Sequence, residues 1–277
     1  MNSCVVSLHS QIKRIAILLF LVAFQYTQAN ASSPTFNPPE KLRSNILDCG
    51  TSIALSIGDL DRDGKRDMVV GDENGFVWFY RNTGQNNSPI FTTGVKLTSL
   101  TLDLQVGRYA TPQLVNWDTD NLLDLVIGDE SGNVWLYKNK GNLQFDSGTL
   151  LTDNQGEIDV GGYSTPYMAD YNGDGKLDLI IGNGEGYIWY YPRQYDEQSP
   201  VFGTGTKLRA MKAGTMTDMN VGSKAAPIFY DWTEDGLSDM IVGDEYGCLN
   251  YFRNTGTKTS PAFGTVSVRI KANNQDL

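Results

Sequence analysis

The chain has 277 residues, with 32 acidic against 22 basic side chains, one histidine and a net charge of −10. An acidic surface repels phosphate backbones and anionic lipids, which argues against nucleic-acid and membrane-surface partners and suits divalent cations. The histidine, His9, falls in a segment read below as cleaved, so Ser-His-Asp and Cys-His nucleophile systems and histidine-ligated zinc are excluded.

Lys13 and Arg14 precede an apolar run from Ile15 to Phe24, and polar residues then lead to Ala29-Asn30-Ala31. A short basic region, an apolar core and an Ala-x-Ala ending predict a secretory signal peptide over residues 1–31. The run is shorter than the roughly 20 residues a membrane span takes. The product is expected to be secreted or periplasmic, with one domain over residues 32–277 that starts near Ser32. Removal of Lys13 and Arg14 leaves 32 acids against 20 bases. Cys49 and Cys248 remain at opposite ends, where a bridge from first to last repeat and two free thiols are both open.

Next along the chain, Pro34-Thr35-Phe36 to Lys41-Leu42 has the pattern of an outer strand. Four repeating units follow, over residues of about 51–97, 108–151, 162–208 and 223–270. Their centres align without gaps: Gly58-DLDRDGKRDMVVGDENG-Phe76, Val115-NWDTDNLLDLVIGDESG-Asn133, Ala169-DYNGDGKLDLIIGNGEG-Tyr187 and Tyr230-DWTEDGLSDMIVGDEYG-Cys248. The anchoring residues Asp67, Asp124, Asp178 and Asp239 are 57, 54 and 61 positions apart, a repeat period.

Each unit predicts four short strands. An apolar stretch leads into the aspartate loop, and a β-branched run follows: Met68-Val69-Val70, Leu125-Val126-Ile127, Leu179-Ile180-Ile181 and Met240-Ile241-Val242. Such runs between turn residues mark buried strands. An acidic glycine turn then leads to an aromatic strand: Val77-Trp78-Phe79-Tyr80, Val134-Trp135-Leu136-Tyr137, Ile188-Trp189-Tyr190-Tyr191 or Leu249-Asn250-Tyr251-Phe252. Asn-x-Gly turns at Asn82, Asn139 and Asn254 close three of these strands. The fourth strand is predicted to carry Phe91, Phe145, Phe202 or Phe263. Four strands per unit and no helical periodicity predict an all-β fold, a β-propeller of about four four-stranded blades. The N-terminal strand makes five outer strands for four cores. It could complete the last blade, displace its own fourth strand, or pair with another chain in a homo-oligomer.

In the first loop Asp59, Asp61, Asp63 and Asp67 stand at positions one, three, five and nine. Alternating residues of a tight loop can converge their oxygens, and calcium takes six to eight oxygen ligands. Four carboxylates, the Lys65 carbonyl and water would supply them, with Gly64 permitting the sharp turn. An EF-hand would need glutamate at position twelve, where Val70, Ile127, Ile181 and Val242 stand instead. The ninth-position aspartate must therefore close the shell.

The D-x-D-x-D-G-x-x-D loop followed by an aliphatic strand and glycine resembles the FG-GAP/VCBS repeat family of integrin α-subunit propellers and bacterial exported proteins. The likeness covers nearly all of residues 32–277. It implies a propeller with calcium in the loops, and adhesion or ligand binding. Carried onto this chain, it implies metal ligands at Asn116, Asp118, Asp120 and Asp124 in the second loop. The third set is Asp170, Asn172, Asp174 and Asp178, and the fourth Asp231, Thr233, Asp235 and Asp239. Asparagine offers a carbonyl oxygen, Asn121 tolerates the left-handed turn, and Thr233 is the weakest substitution. The sites rank first, third, second, fourth. Two carboxylates 4 Å apart repel by about 4 kcal/mol at an effective dielectric of 20, so cation-free loops would splay. Up to four structural calcium ions are expected, with no reaction assigned to them.

Recognition should lie where the units differ, as at Pro192-Arg193-Gln194-Tyr195-Asp196-Glu197. Trp117, Tyr171 and Trp232, at loop position two, could stack on sugars, but packing on a neighbouring blade is the stronger expectation. Trp78, Trp135 and Trp189 are expected between blades, and Glu73, Glu130, Glu185 and Glu245 in solvated turns. These features predict a non-catalytic, exported binding or adhesion module for a protein or glycan. The alternatives are a glycan-binding lectin, a carbohydrate-active enzyme working through paired carboxylates, and a structural partner docking through the spare strand.

Overall fold

The computed structural model describes residues 54–118, 120–194, 201–212 and 214–264, with the backbone of 268–269, 271–272 and 275–276. The segment read as a signal peptide, the Pro34 to Leu42 strand and Cys49 lie outside the described residues. So does Tyr195-Asp196-Glu197 of the divergent third unit. Among the described residues there is no helix, and the chain is all-β. None of these residues forms a helix long and apolar enough to cross a membrane.

Four four-stranded antiparallel sheets follow one another. The first joins Ala54–Gly58, Asp67–Gly71, Val77–Tyr80 and Val95–Lys96. The second joins Thr111–Val115, Asp124–Gly128, Val134–Tyr137 and Thr149–Leu150. The third joins Thr165–Ala169, Asp178–Gly182, Ile188–Tyr191 and Thr206–Lys207. The fourth joins Ala226–Tyr230, Asp239–Gly243, Leu249–Phe252 and Val268–Arg269. Within each, the ninth-position aspartate begins the second strand and forms the pair that closes the loop: Asp67 with Gly58, Asp124 with Val115, Asp178 with Ala169, and Asp239 with Tyr230. The loop therefore opens directly from a fixed register.

The second strand of each unit carries an unbroken apolar run because both its faces are covered. Leu125 and Ile127 pack with Val69, Val77 and Phe79 of the first unit. Val126, one residue out of phase, points the other way and packs with Leu179, Ile181 and Tyr191 of the third. Ile180 continues the series towards Met240, Val242 and Phe252 of the fourth. The period-two alternation of a strand thus serves two junctions at once. Side chains also tie the first strands together. Leu114 N donates to Ser56 Oγ, Met168 N to Gln113 Oε1, and Tyr167 OH to the Phe229 carbonyl.

The glycine ending the second strand is a junction residue in the first three units. A Cβ on Gly71, Gly128 or Gly182 would collide with the backbone carbonyl of Ala110, Ser164 or Ala225 in the next unit. On Gly243 it would meet only the Ala226 Cβ, at 3.9 Å. Gly182→Ala is expected to cost about 3 kcal/mol of stability, and Gly243→Ala less than about 0.5 kcal/mol. Urea unfolding of the two variants checks this, and equal losses would refute the junction role.

The fourth strands correct one expectation. Phe91, Phe145, Phe202 and Phe263 precede these strands and do not lie within them. A short hairpin follows the fourth strand in every unit: Lys271–Ala272 with Gln275–Asp276 in the fourth, and in the first three Thr98–Ser99 with Leu102–Asp103, Thr152–Asp153 with Gly156–Glu157, and Arg209–Lys212 with Thr215–Asp218. In the first three, the phenylalanine segment of the next unit clamps onto it. Phe145 pairs in parallel with Ser99, Phe202 N donates to the Thr152 carbonyl, and Phe263 bridges Ala210. The reason is burial: each of these three rings plugs the core shared with the preceding unit.

Candidate metal centres

Each loop reverses tightly through left-handed residues. Gly64, Asn121, Gly175 and Gly236, at position six, have φ of 83°, 64°, 84° and 84°. Position four is also left-handed, in Arg62, Gly173 and Glu234, with φ of 63°, 73° and 57°. Arg62 and Glu234 adopt a conformation that costs side-chain-bearing residues energy and is held by the loop's other bonds. In the first loop Asp59 accepts from the Asp63 and Gly64 N–H groups, at 3.0 and 2.9 Å, and Asp63 accepts from Lys65 N at 2.9 Å. Equivalent bonds run from Gly175 N to Asp170 at 3.0 Å and from Gly236 N to Asp231 at 2.8 Å. These donors aim the carboxylates inward.

The result in the first loop is a cluster in which one oxygen each of Asp59, Asp61 and Asp67 lies within 4.8 Å of the others. In the second loop Asn116 Oδ1 and Asp118 Oδ1 are buried and accept no hydrogen bond from the protein. Buried oxygens are expensive to leave without a partner. A hard cation is a partner that an amide oxygen and a carboxylate oxygen can both take, so these residues fit calcium. In the third loop Asn172 and Asp174 face each other, with Nδ2 3.2 Å from Oδ2. In the fourth, the Leu237 N–H, the Thr233 hydroxyl and Arg253 hold the Asp235 carboxyl below its usual range.

The ninth-position aspartate has a second role that the loop spacing alone did not reveal. One of its oxygens accepts the N–H that follows the aromatic strand: Asn82, Asn139 and Asn254 at 2.8 Å and Arg193 at 2.7 Å. The other accepts the position-two N–H, from Leu60, Trp117, Tyr171 or Trp232, at 2.9 to 3.2 Å. The side chain pins loop and aromatic strand together while facing the cluster. All four are fully buried. Burial pushes Asp67 and Asp124 up to about 6, against the pull of the N–H donors, and moves Asp178 the same way. Tyr190 and Tyr251 add hydroxyl donors to Asp178 and Asp239, at 3.2 and 3.0 Å.

Three of the position-two side chains pack between units, while Trp232 meets Tyr251 of its own unit, with ring centroids 6.2 Å apart. Leu60 and Trp117 are buried against the next unit, and Trp117 meets Phe202 edge-on with the Arg193 guanidinium 3.8 Å over its ring. Tyr171 packs on Tyr190 and Phe229, yet it stays half-buried beside a groove of about 470 Å³ between the third and fourth units. Asp170, Phe229, Asn254, Lys258 and Thr259 complete its walls. Trp78 and Trp135 are half-buried, and their indole N–H groups donate to Asp72 and Asp129 of the acidic turns. Two of the turn glutamates meet named partners: Glu130 meets Arg108 and Tyr163, and Glu245 meets Lys224 and Ser223.

Residues 116–211 match the model of the FG-GAP-like repeat family. No curated protein sequence matches the chain. Among solved structures, it resembles an Agrocybe aegerita lectin described as recognising non-reducing terminal N-acetylglucosamine. The identity is 20% and the TM-score 0.46, over 78% of this chain and 52% of that one. It also resembles part of the Photorhabdus luminescens Tc holotoxin pore, at 17% identity and a TM-score of 0.36, over 81% of this chain and 12% of that one. The chain spans about half the length of the lectin and a small part of the toxin chain.

Proposed function

We propose that this chain, which carries FG-GAP-like repeats, is an exported calcium-stabilised binding module whose four sheets are the blades of a propeller. The observations that carry the reading are the convergence of one oxygen each of Asp59, Asp61 and Asp67, and the buried Asn116 Oδ1 and Asp118 Oδ1, which accept no protein donor. Asp59, Asp61, Asp63 and Asp67, with the Lys65 carbonyl, would hold the first ion. The matching sets at 116–124, 170–178 and 231–239 would hold the others. Calcium supplies hard positive charge that lets these carboxylates stay close together. The chain's own residues do the rest: the ninth-position aspartates fix the aromatic strand to the loop, and Gly64, Asn121, Gly175 and Gly236 turn it.

Export rests on the basic and apolar pattern of residues 1–31, and a non-catalytic role on the lack of a histidine beyond His9. A glycan is the ligand class the groove between the third and fourth units favours. Tyr171 and Phe229 offer aromatic surface, and Asp170, Ser238, Asn254, Lys258 and Thr259 offer polar atoms around it. Such a mix suits a hydroxylated ring. A glycan array probed with the purified chain, in calcium and after chelation, tests the reading. Calcium-dependent retention without product release is expected. Release of shortened sugars would replace it with a hydrolase, and retention of no glycan would leave a protein ligand.

A further inference from the structure

Among the described residues, three of the four loops carry a basic side chain on the carboxylates that calcium would use, and the third loop does not. The basic residue stands directly before the residue whose N–H binds the ninth-position aspartate: Arg81 before Asn82, Lys138 before Asn139, and Arg253 before Asn254. That backbone bond delivers the preceding side chain to the loop. Arg81 Nε forms an ion pair of 2.6 Å with Asp61, and its Nη2 lies 3.4 Å from Asp63. Lys138 Nζ lies 3.1 Å from Asp118, and Arg253 Nη2 lies 3.2 Å from Asp235. The equivalent residue of the third unit is Pro192, before Arg193, and it has no charge to offer. Lysine at loop position seven is no substitute. Lys65 donates to the Thr83 carbonyl, and among the described residues no ion pair joins Lys176 to the third loop.

We propose that Arg81, Lys138 and Arg253 are built-in counter-cations that compete with calcium for the first, second and fourth loops. The third loop, held by Asp170, Asn172, Asp174 and Asp178, is then the highest-affinity calcium site. This rests on the calcium reading above and reorders the sites within it. Ligand count alone puts the first loop ahead, with four aspartates against three and an asparagine. An ion entering the first loop, however, must displace a guanidinium held by two of those aspartates. The Arg81 and Arg253 side chains are half exposed, at 50% and 57%, so each can swing into solvent when the ion arrives. Calcium loading then frees three basic side chains on the loop face. Calcium withdrawal re-pairs them and leaves the third loop as the one with uncompensated repulsion.

Calorimetric titration of the full chain with calcium tests this, comparing wild type, the triple variant Arg81→Gln, Lys138→Gln, Arg253→Gln, and Pro192→Arg. Wild type is expected to show one tight step followed by weaker ones. The triple variant should tighten the weaker steps by about two- to fivefold per site, the scale of exposed ion pairs, with the first step unchanged. Pro192→Arg should weaken the tight step by a similar factor. Melting in excess calcium confirms that each variant is folded, and the triple variant, altered only at partly exposed positions, stands as the test if Pro192→Arg does not fold. A triple variant with the wild-type isotherm overturns the counter-cation role while leaving calcium binding intact. A chain that takes up no calcium overturns both readings.

Discussion

Removing calcium from the folded chain is expected to lower its melting temperature by about 10–20 °C. With a dissociation constant of about 0.1 mM in about 1 mM calcium, each site contributes roughly 1.4 kcal/mol. Four sites contribute about 5–6 kcal/mol, comparable to the whole stability of an ordinary domain, at about 5–15 kcal/mol. For a domain of this size each kcal/mol moves the midpoint by about 2–4 °C. The chelated loops must also bear their own repulsion. Arg81, Lys138 and Arg253 relieve it in three of them, so the third loop should open first. Thermal melts followed by circular dichroism, in 1 mM calcium and in excess chelator, measure the effect. A midpoint indifferent to chelator would remove calcium from the account. A shift restored by magnesium as well as by calcium would point to electrostatic screening in place of a fitted site.

What could be read along the chain was local, and what could not was carried between units. The buried runs such as Leu125-Val126-Ile127 announce themselves because a strand covered on both faces needs no polar residue. The loop spacing is visible because positions one, three, five and nine belong to one turn. Phe145 was misplaced because its partner, Ser99, belongs to the preceding unit. Arg81 and Lys138 were missed for a similar reason: they reach the loop through a hairpin register, not through sequence proximity. A column comparison of the four units would have found them, since arginine, lysine and arginine share a position with Pro192. The left-handed position four was hidden because only Gly173 marks it, while Arg62 and Glu234 adopt it without any signal in their side chains. Trp117 could be weighed between ligand and core, but only the Phe202 and Arg193 contacts decide for core.

The second large effect belongs to Asp124, which the loop pattern marks only as a ligand. Its two oxygens accept Trp117 N at 2.9 Å and Asn139 N at 2.8 Å, in a site with no exposure. Asp124→Ala leaves two buried N–H groups without acceptors, at about 1–3 kcal/mol each, and removes the residue proposed to close the second site. A loss of about 4–6 kcal/mol is expected, so the variant should melt at least about 10 °C below wild type. Asp124→Asn keeps one acceptor oxygen and sets an amide nitrogen against the other N–H. It should lose about half as much, and with it calcium at that loop. The two variants also separate the charge from the hydrogen bonds through pH. Burial raises Asp124 to about 6 in the metal-free fold, above its ordinary 3.8, so the folded state holds the proton more tightly than the unfolded chain. Its contribution to metal-free stability is therefore full below about pH 4 and is lost as the pH rises through 6. Calcium requires the ionised form, so its binding should weaken as the pH falls below about 6. Metal-free wild type should accordingly gain more stability between pH 7 and pH 5 than Asp124→Asn, which has no carboxyl to protonate. Melts of calcium-free protein at the two pH values decide the matter. Identical pH responses would show that Asp124 does not titrate in this window, and an Asp124→Ala variant within 3 °C of wild type would end its role as the pin between loop and strand.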